Sequence, residues 1–463
     1  MNFKHLLLAA AASAILLPVS AKDNGGISPE TLKSLREQYQ PTAAERALHN
    51  AMANTDINAL AYNQDAKNGR DSNFSHRVPS KGITNQRSSG RCWLFSGLNM
   101  LRAQAMREHN LPLLEFSQVY NFFYDQLEKS NLFLQAVIDS ADKPMDDRSV
   151  NWLFKHALGD GGQFTGVIDI ISKYGVVPRE AMVETHSSEN TTRIRQFLTW
   201  KLREDGLELR KMKADGASEK AIAERKNQML SEIYNMLARA FGNPPTEFQW
   251  TRCTPSGTPI ETKTYTPLSF YQELLGNDLK NNYVMFMNDP SREYYKVYEI
   301  NLDRHVYDGN NWKYLNVPME DIKEMAIASI KDSTAMYFSC DVSKYLDRSG
   351  TGTLDLNNFN YDDLFGVKFG MDKKQRIETG TSGSTHAMTL VGVDLDKDGK
   401  PVKWLIENSW GNNANKGHLI ATDEWMDEYL FRLVTEKKYV PKKLLDIIKK
   451  EKPIMLPEWD PMF

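Results

Sequence analysis

Three cysteines in 463 residues are too few for a disulfide framework. If one of them serves as a nucleophile, at most one bridge remains, between Cys253 and Cys340. The chain also lacks a charge excess. Its 57 Lys and Arg against 60 Asp and Glu leave a net charge of −3, which gives no general attraction to nucleic acid. No apolar run is long enough to span a bilayer comfortably: the best, residues 6–17, is about a dozen residues where spanning takes roughly 20. No zinc, haem, phosphate-loop or dinucleotide pattern survives inspection. Asp394-x-Asp396-x-Asp398-Gly399 copies the first half of a calcium loop, but Leu405 stands where the closing Glu belongs. A hairpin turn is the better reading.

The short apolar run has another use. Met1-Asn2-Phe3-Lys4-His5, residues 6–17 and Pro18-Val19-Ser20-Ala21 form a basic, apolar and small-residue series. That is the pattern of a secretory signal peptide cut after Ala21. The mature chain is expected to be exported, periplasmic or secreted, without a stable membrane anchor.

What the chain does have is Gln86-Arg87-Ser88-Ser89-Gly90-Arg91-Cys92-Trp93-Leu94-Phe95-Ser96. A polar loop here gives way to an apolar run, residues 93–106, that lacks Pro and predicts a buried helix starting near Cys92. A thiol at a helix N-terminus feels the positive end of the dipole, so the Cys92 thiolate is expected to be favoured. Gln86 can lay its amide beside the Cys92 N–H, and two such donors make an oxyanion hole.

A cysteine nucleophile needs a base and a group that orients the base. Of nine His, His386 stands out, because it opens the strand-like run His386-Ala387-Met388-Thr389-Leu390-Val391-Gly392-Val393. A second run, residues 402–410, contains Asn408, and the Asp398-Gly399 pair between the two runs signals a hairpin. Pairing centred on Lys397 would set His386 directly opposite Asn408. A one-residue slip would send them to opposite faces. Cys253 and Cys340 read as buried structural thiols, and His76 and His418 have no assignable partners.

Gln, Cys, His and Asn in this order resemble the papain superfamily, in which His and Asn lie about 130–150 residues after the Cys. Cys92 and His386 are much further apart, so an insertion is expected. Arg91 replaces a small residue, and Ser89 stands where secreted papain-like enzymes often carry a disulfide cysteine. Both departures point to the bleomycin hydrolase / aminopeptidase C family, which Thr84-Asn85-Gln86-Arg87-Ser88-Ser89-Gly90-Arg91-Cys92-Trp93 closely resembles. Glu115-Phe116-Ser117-Gln118, Asp160-Gly161-Gly162-Gln163-Phe164, Lys173-Tyr174-Gly175-Val176-Val177-Pro178, Cys340-Asp341-Val342, Glu407-Asn408-Ser409-Trp410-Gly411 and the closing Leu456-Pro457-Glu458-Trp459-Asp460-Pro461-Met462 look like further blocks of that family, in order.

The resemblance implies an α+β, papain-like two-lobed fold: a helical lobe, a β-barrel-like lobe and a helical insertion. The corresponding segments are a signal peptide (1–21), an N-terminal arm (22–70), the helical lobe with the nucleophile (71–186), the insertion (187–245), the β-rich lobe with His386 and Asn408 (246–440) and a tail entering the cleft (441–463). Within the insertion, Ile194, Leu198, Leu202, Leu230, Ile233 and Leu237 recur at helical spacing among mixed charges. By resemblance this segment helps assemble a hexameric ring. A mixed-sign helix argues for a solvated or oligomer-forming face rather than nucleic-acid binding.

The implied activity is peptide-bond hydrolysis by Cys92, His386 and Asn408 through a thioester, with Gln86 in the oxyanion hole and no cofactor or metal. Gly161 and Gly162 would line the cleft against extended peptide substrate, and Trp410 would shield the His386–Asn408 bond. In the family the terminal carboxylate receives the substrate's α-amine, which makes the enzyme an aminopeptidase. This chain ends at Phe463, three or four residues sooner than family tails, so Phe463 is expected to leave room for a longer N-terminal piece. The same thioester would serve acyl transfer to an amine, and a catalytically idle ring-forming binding protein is the remaining alternative.

Overall fold

The structure, a computed structural model, describes residues 25–67, 71–276, 278–348 and 350–462. The expected signal peptide and Phe463 lie outside the described residues. Residues up to Ala61 form one compact unit, and residues from Tyr62 onward form a second. The first unit is helical. Its Pro29–Gln38 helix is capped by Ser28, whose hydroxyl accepts from Thr31 N at 3.1 Å with Pro29 in the first turn. The Ala43–Met52 helix starts with a capping box between Thr42 and Glu45.

In the second unit the apolar run does form a helix, Cys92–Glu108, buried almost all round from Trp93 to Met106. Each of Leu94, Leu98 and Leu101, fully buried, contributes roughly 1.5–3 kcal/mol relative to exposure. The helices Gln118–Asp139 and Phe164–Tyr174 pack on it, and Arg148–Lys155 packs on Gln118–Asp139. The long helices Thr191–Ala214 and Glu219–Phe241 then pack against Gln118–Asp139. Of the expected apolar positions in that pair, Leu198, Leu202, Ile233 and Leu237 are buried, joined by Leu209, Ile222, Met229 and Phe241. Phe197, Trp200 and Leu207 remain exposed on the first of them.

The strands, in chain order, are β1 (His76–Arg77), β2 (Phe248–Cys253), β3 (Pro259–Tyr265), β4 (Tyr283–Met287), β5 (Val297–Ile300), β6 (Lys313–Asn316), β7 (Met336–Cys340), β8 (Thr353–Leu354), β9 (His386–Leu395), β10 (Pro401–Glu407), β11 (His418–Thr422), β12 (Leu430–Glu436) and β13 (Ile454–Leu456). Apart from the β2–β3 hairpin, they form one sheet in the order β13-β5-β6-β4-β12-β7-β9-β10-β11-β8, with β1 also paired to β9. The helical half thus lends β1 to the sheet. The tail contributes as well, since the Lys442–Lys450 helix leads into β13, which pairs in parallel with β5.

β9 is buried from His386 to Val393, which explains its nearly continuous apolar sequence. It packs on the Cys92–Glu108 helix, so the His386 strand and the nucleophile helix are neighbours. The β9–β10 hairpin exists, but its register is not the expected one. Glu407 faces Thr389 and Ile406 faces Leu390, so the pairing is centred on Asp398 rather than Lys397. The turn runs from Asp396, whose N–H donates to Lys400 O at 2.9 Å, with Gly399 at φ 78°. The Asp396 carboxylate accepts from the N–H groups of Asp398 and Lys400 at 2.8 and 2.9 Å, so it serves the turn. Irregularities at Pro401/Lys403 and Leu405/Ile406 shift the ladder further. In this register His386 does not lie directly opposite Asn408; on the other edge of β9 it pairs with Cys340 of β7.

Candidate active site

The loop before Cys92 is closed by hydrogen bonds rather than by a bridge, and all three cysteines are free. Ser89 Oγ donates to Gln86 O at 2.6 Å, and Arg91 Nε donates to Ser89 Oγ at 3.1 Å. The Arg91 side chain is buried against Glu184 at 2.9 Å and over the Phe95 and Phe122 rings at 5.0 and 5.3 Å. This is the structural use of the two departures at Ser89 and Arg91: the charge turns inward and ties the loop down. Gly90 N donates to Asp160 Oδ2 at 2.8 Å, fastening the loop to the start of the glycine segment.

Gln86 is held at both ends of its amide. Its Oε1 accepts from Ser409 Oγ at 2.7 Å, which fixes which end is nitrogen, and its Nε2 donates to Ser89 O at 2.7 Å. One amide hydrogen is thereby committed to the loop, so at most the second can point at an oxyanion beside Cys92 N–H. Gln86 N also donates to Ser409 O at 2.8 Å, drawing the loop onto the segment after β10. Ser409 is a positioning residue that the sequence reading quoted but did not assign.

His386 and Asn408 meet despite the shifted register: His386 Nε2 lies 2.9 Å from Asn408 Oδ1. The Asn carbonyl can only accept, so Nε2 carries the proton and Nδ1 is the basic nitrogen of the neutral ring. Trp410 stacks on His386 with centroids 4.9 Å apart, and Arg348 lies over Trp410 at 4.5 Å. Arg348 comes from a turn anchored by Asp347, which accepts from Gly350 N at 3.1 Å and Thr351 N at 2.8 Å. Nothing in the local sequence announces that contact.

The Cys92 thiol departs from the expectation of a lowered pKa. Burial pushes it up, while the N–H groups of Ala387 and Trp93 pull it down to a lesser extent. The residue as a whole keeps partial exposure, but protein atoms crowd the sulfur, and desolvation outweighs the helix terminus. Burial likewise lowers His386, to about 4, against the opposing Asn408 bond. Taken singly, burial favours the uncharged form of each group. Charge separation then has to come from proton transfer between them, which creates the two charges together. Ala387, whose N–H lies at the Cys92 sulfur, is the residue after His386.

Gly161 and Gly162 border a cavity of about 390 Å³ that is lined by neither Cys92 nor His386. A Cβ on Gly161 would enter open space, whereas one on Gly162 would lie 2.1 Å from His305 and 2.9 Å from Trp93. The second glycine is therefore required by what lies beneath it. His305 Nδ1 is 2.5 Å from Asp125 Oδ1, and its Nε2 accepts from Gln163 N at 3.4 Å. Lys129 bonds Asp125 at 3.0 Å and donates to Gly161 O at 2.6 Å. This Asp125–His305–Lys129 group holds the glycine segment from below. It was not legible in sequence, because its members are scattered over residues 125–305.

The other two cysteines differ from each other. Cys340 is fully buried on β7, as expected, but Cys253 on β2 is only partly buried, because the β2–β3 hairpin has one face open. His418, which had no assignable partner, is buried next to Glu407 in the β10–β11 ladder. Among the described residues no group of three or more His, Cys, Asp or Glu is placed to hold a metal, and no helix is long and apolar enough to cross a membrane.

A cysteine opening a buried helix against a strand-borne histidine, in a mixed helix-and-sheet fold of this kind, defines a papain-like cysteine peptidase. The chain belongs to the peptidase C1-like family, whose model matches residues 26–463. It is similar to bleomycin hydrolase of Rattus norvegicus, at 36% identity over 95% of this chain and 99% of the rat protein. Aminopeptidase C of Lactobacillus delbrueckii subsp. lactis is 37% identical over 94% of this chain and 98% of its own. The crystal structure of PepW from Lactobacillus rhamnosis HN001 superposes with a TM-score of 0.90 at 38% identity, covering 94% of this chain and 98% of that one. The chain is thus of the bleomycin hydrolase / aminopeptidase C type.

Proposed function

We propose that this peptidase removes residues from the N-termini of short peptides through a Cys92–His386–Asn408 triad and a thioester acyl-enzyme. The observation that carries this reading is the His386 imidazole held by Asn408 at 2.9 Å, on a strand whose next N–H lies at the Cys92 sulfur. His386 takes the Cys92 proton as sulfur attacks the scissile carbonyl carbon. The oxyanion so formed is met by Cys92 N–H and the remaining Gln86 amide hydrogen. Collapse breaks the C–N bond, and His386 returns the proton to the departing amine. Water, deprotonated by His386, then splits the thioester, releasing a carboxylic acid and the free thiol. Asn408 keeps the ring oriented, and Trp410 covers that bond.

Among the described residues neither the N–H nor the C=O of Gly162 has a hydrogen-bond partner, which suits pairing with an extended substrate backbone. The N-terminal preference rests on the relatives named aminopeptidase and on a tail that is folded into the body up to Met462. Export follows from the signal-peptide pattern of residues 1–21, and a ring-like oligomer is supported by the exposed Phe197, Trp200 and Leu207. The test is digestion of paired peptides with free and acetylated N-termini, with fragments weighed by mass spectrometry. Fragments released from free amines alone support the reading; equal cleavage of both, or none of either, contradicts it.

A further inference from the structure

The last described residues form a hook held by Arg148 from the helical half, by Arg292 after β4 and by Arg432 on β12. Asp460 Oδ1 accepts from Met462 N at 2.9 Å, and its other oxygen pairs with Arg292 at 2.5 Å. Arg148 lies 3.9 Å over the Trp459 ring. A Cβ built on Gly383, three residues before His386, would lie 3.9 Å from Pro461 O, which puts the hook beside the histidine wall. Gln163 stands directly after Gly162, in the segment that Asp160 fastens to the nucleophile loop. The two ends are joined by one side chain. Arg432, in the interior strand β12, donates through Nη1 to Gln163 Oε1 and through Nη2 to Met462 O.

We propose that Arg432 is a specificity-determining residue that clamps the tail hook to the glycine segment and thereby closes one end of the cleft to N-terminally extended substrates. The proposal rests on the aminopeptidase reading above. A guanidinium presents two nitrogens in a fixed fork, so it can hold two acceptors from different segments at a set spacing, which a single ammonium cannot do. Arg432 is 3% exposed, with the Trp312 ring at 5.3 Å and the Asp303 carboxylate nearby. Arg432 Nε already lacks an acceptor, and release of the hook would orphan Nη2 as well, which favours the closed position. The same bond sets where Gln163, and with it the substrate-facing edge of Gly162, comes to rest. Closure of the cleft and alignment of the substrate are therefore coupled through one residue.

The experiment compares kcat/KM for one peptide with a free and with an acetylated N-terminus. The enzymes are the full chain, Arg432→Met, a deletion of residues 461–463, and both changes together. The wild type should prefer the free amine. Arg432→Met should raise the acetylated-to-free ratio at least tenfold, the deletion should raise it equally, and the double change should add nothing further, as expected for two parts of one device. If the methionine variant does not fold, Arg432→Lys, which retains the buried charge but not the fork, should move the ratio in the same direction. An unchanged ratio in a folded Arg432 variant, or effects of variant and deletion that multiply, would overturn the proposal. A wild type that takes both peptides alike would instead contradict the aminopeptidase reading. In that case hydrogen exchange over residues 457–462, faster in Arg432→Met, still reports whether Arg432 holds the hook.

Discussion

At the scale of single residues the site depends on groups that hold other groups. Gln86 illustrates this: Ser409 fixes its orientation and Ser89 takes one of its two amide hydrogens. If the other hydrogen serves the oxyanion, Gln86→Ala should lower kcat by about 10²–10³ with KM little changed, measured by steady-state kinetics on an unblocked peptide. A change confined to KM would show that Gln86 only shapes the cleft. The meeting of His386 with Asn408, and of their strand with the Cys92 helix, was foreshadowed by residue type and local pattern: an apolar helix after a polar loop, and two strand-like runs around Asp-Gly. Their supporting residues were not. Arg348, His305, Asp125 and Arg432 reach the site from separate parts of the chain, and nothing in their neighbouring sequence sets them apart from other surface or core positions.

At the scale of elements, the nucleophile helix and the strand leading to Asn408 are tied by a buried ion pair. Arg102 on the Cys92–Glu108 helix meets Glu407 at the end of β10 at 2.7 Å, both side chains almost inaccessible, and Arg102 also donates to Gly82 O at 2.8 Å. Removing one partner of such a pair leaves an uncompensated buried charge, so Glu407→Ala should destabilise the fold by about 3–5 kcal/mol, read from urea unfolding. A loss under 1 kcal/mol would mean that water reaches Arg102. The hairpin shows where elements outrun sequence. Counting from Asp-Gly finds the turn but misplaces its centre, because the Asp396 carboxylate draws two N–H groups into a wider loop and the ladder irregularities add to the shift. His386 and Asn408 still meet, since side-chain reach absorbs an offset that backbone pairing does not.

At the scale of the molecule, folding buries several histidines in uncharged form. His386 is lowered to about 4, and His305 and His418 are also lowered, all chiefly by burial. The unfolded chain, with histidines near 6.5, binds more protons than the folded one between pH 6.5 and 4. Stability contributed by these groups is therefore intact above the unfolded value and lost as pH falls through that window. Asp303, raised to about 7 by burial, acts in the opposite sense. Asp205 and Asp427, also raised by burial, act with Asp303, while Asp125 and Asp160, lowered by their partners, reinforce the histidines and tip the balance at the acid end. The melting temperature should fall on acidification from pH 6.5 to 4 in scanning fluorimetry, and a rise would contradict this balance. The α+β papain-like class was legible from motif order, and so was the helical character of residues 187–242, though not its division into two helices. The joining of β1 and β13 to the sheet was not, because short edge strands carry little pattern of their own.

The central claim is that Cys92 is activated by His386, and the most direct measurement is alkylation by iodoacetamide at neutral pH, followed by peptide mass spectrometry. Cys253, also free and partly exposed, serves as the internal reference. The account predicts that Cys92 is modified much faster than Cys253, that peptidase activity disappears in step with its modification, and that His386→Ala removes the rate advantage. Cys92 reacting no faster than Cys253, or activity that survives complete modification of Cys92, would contradict it.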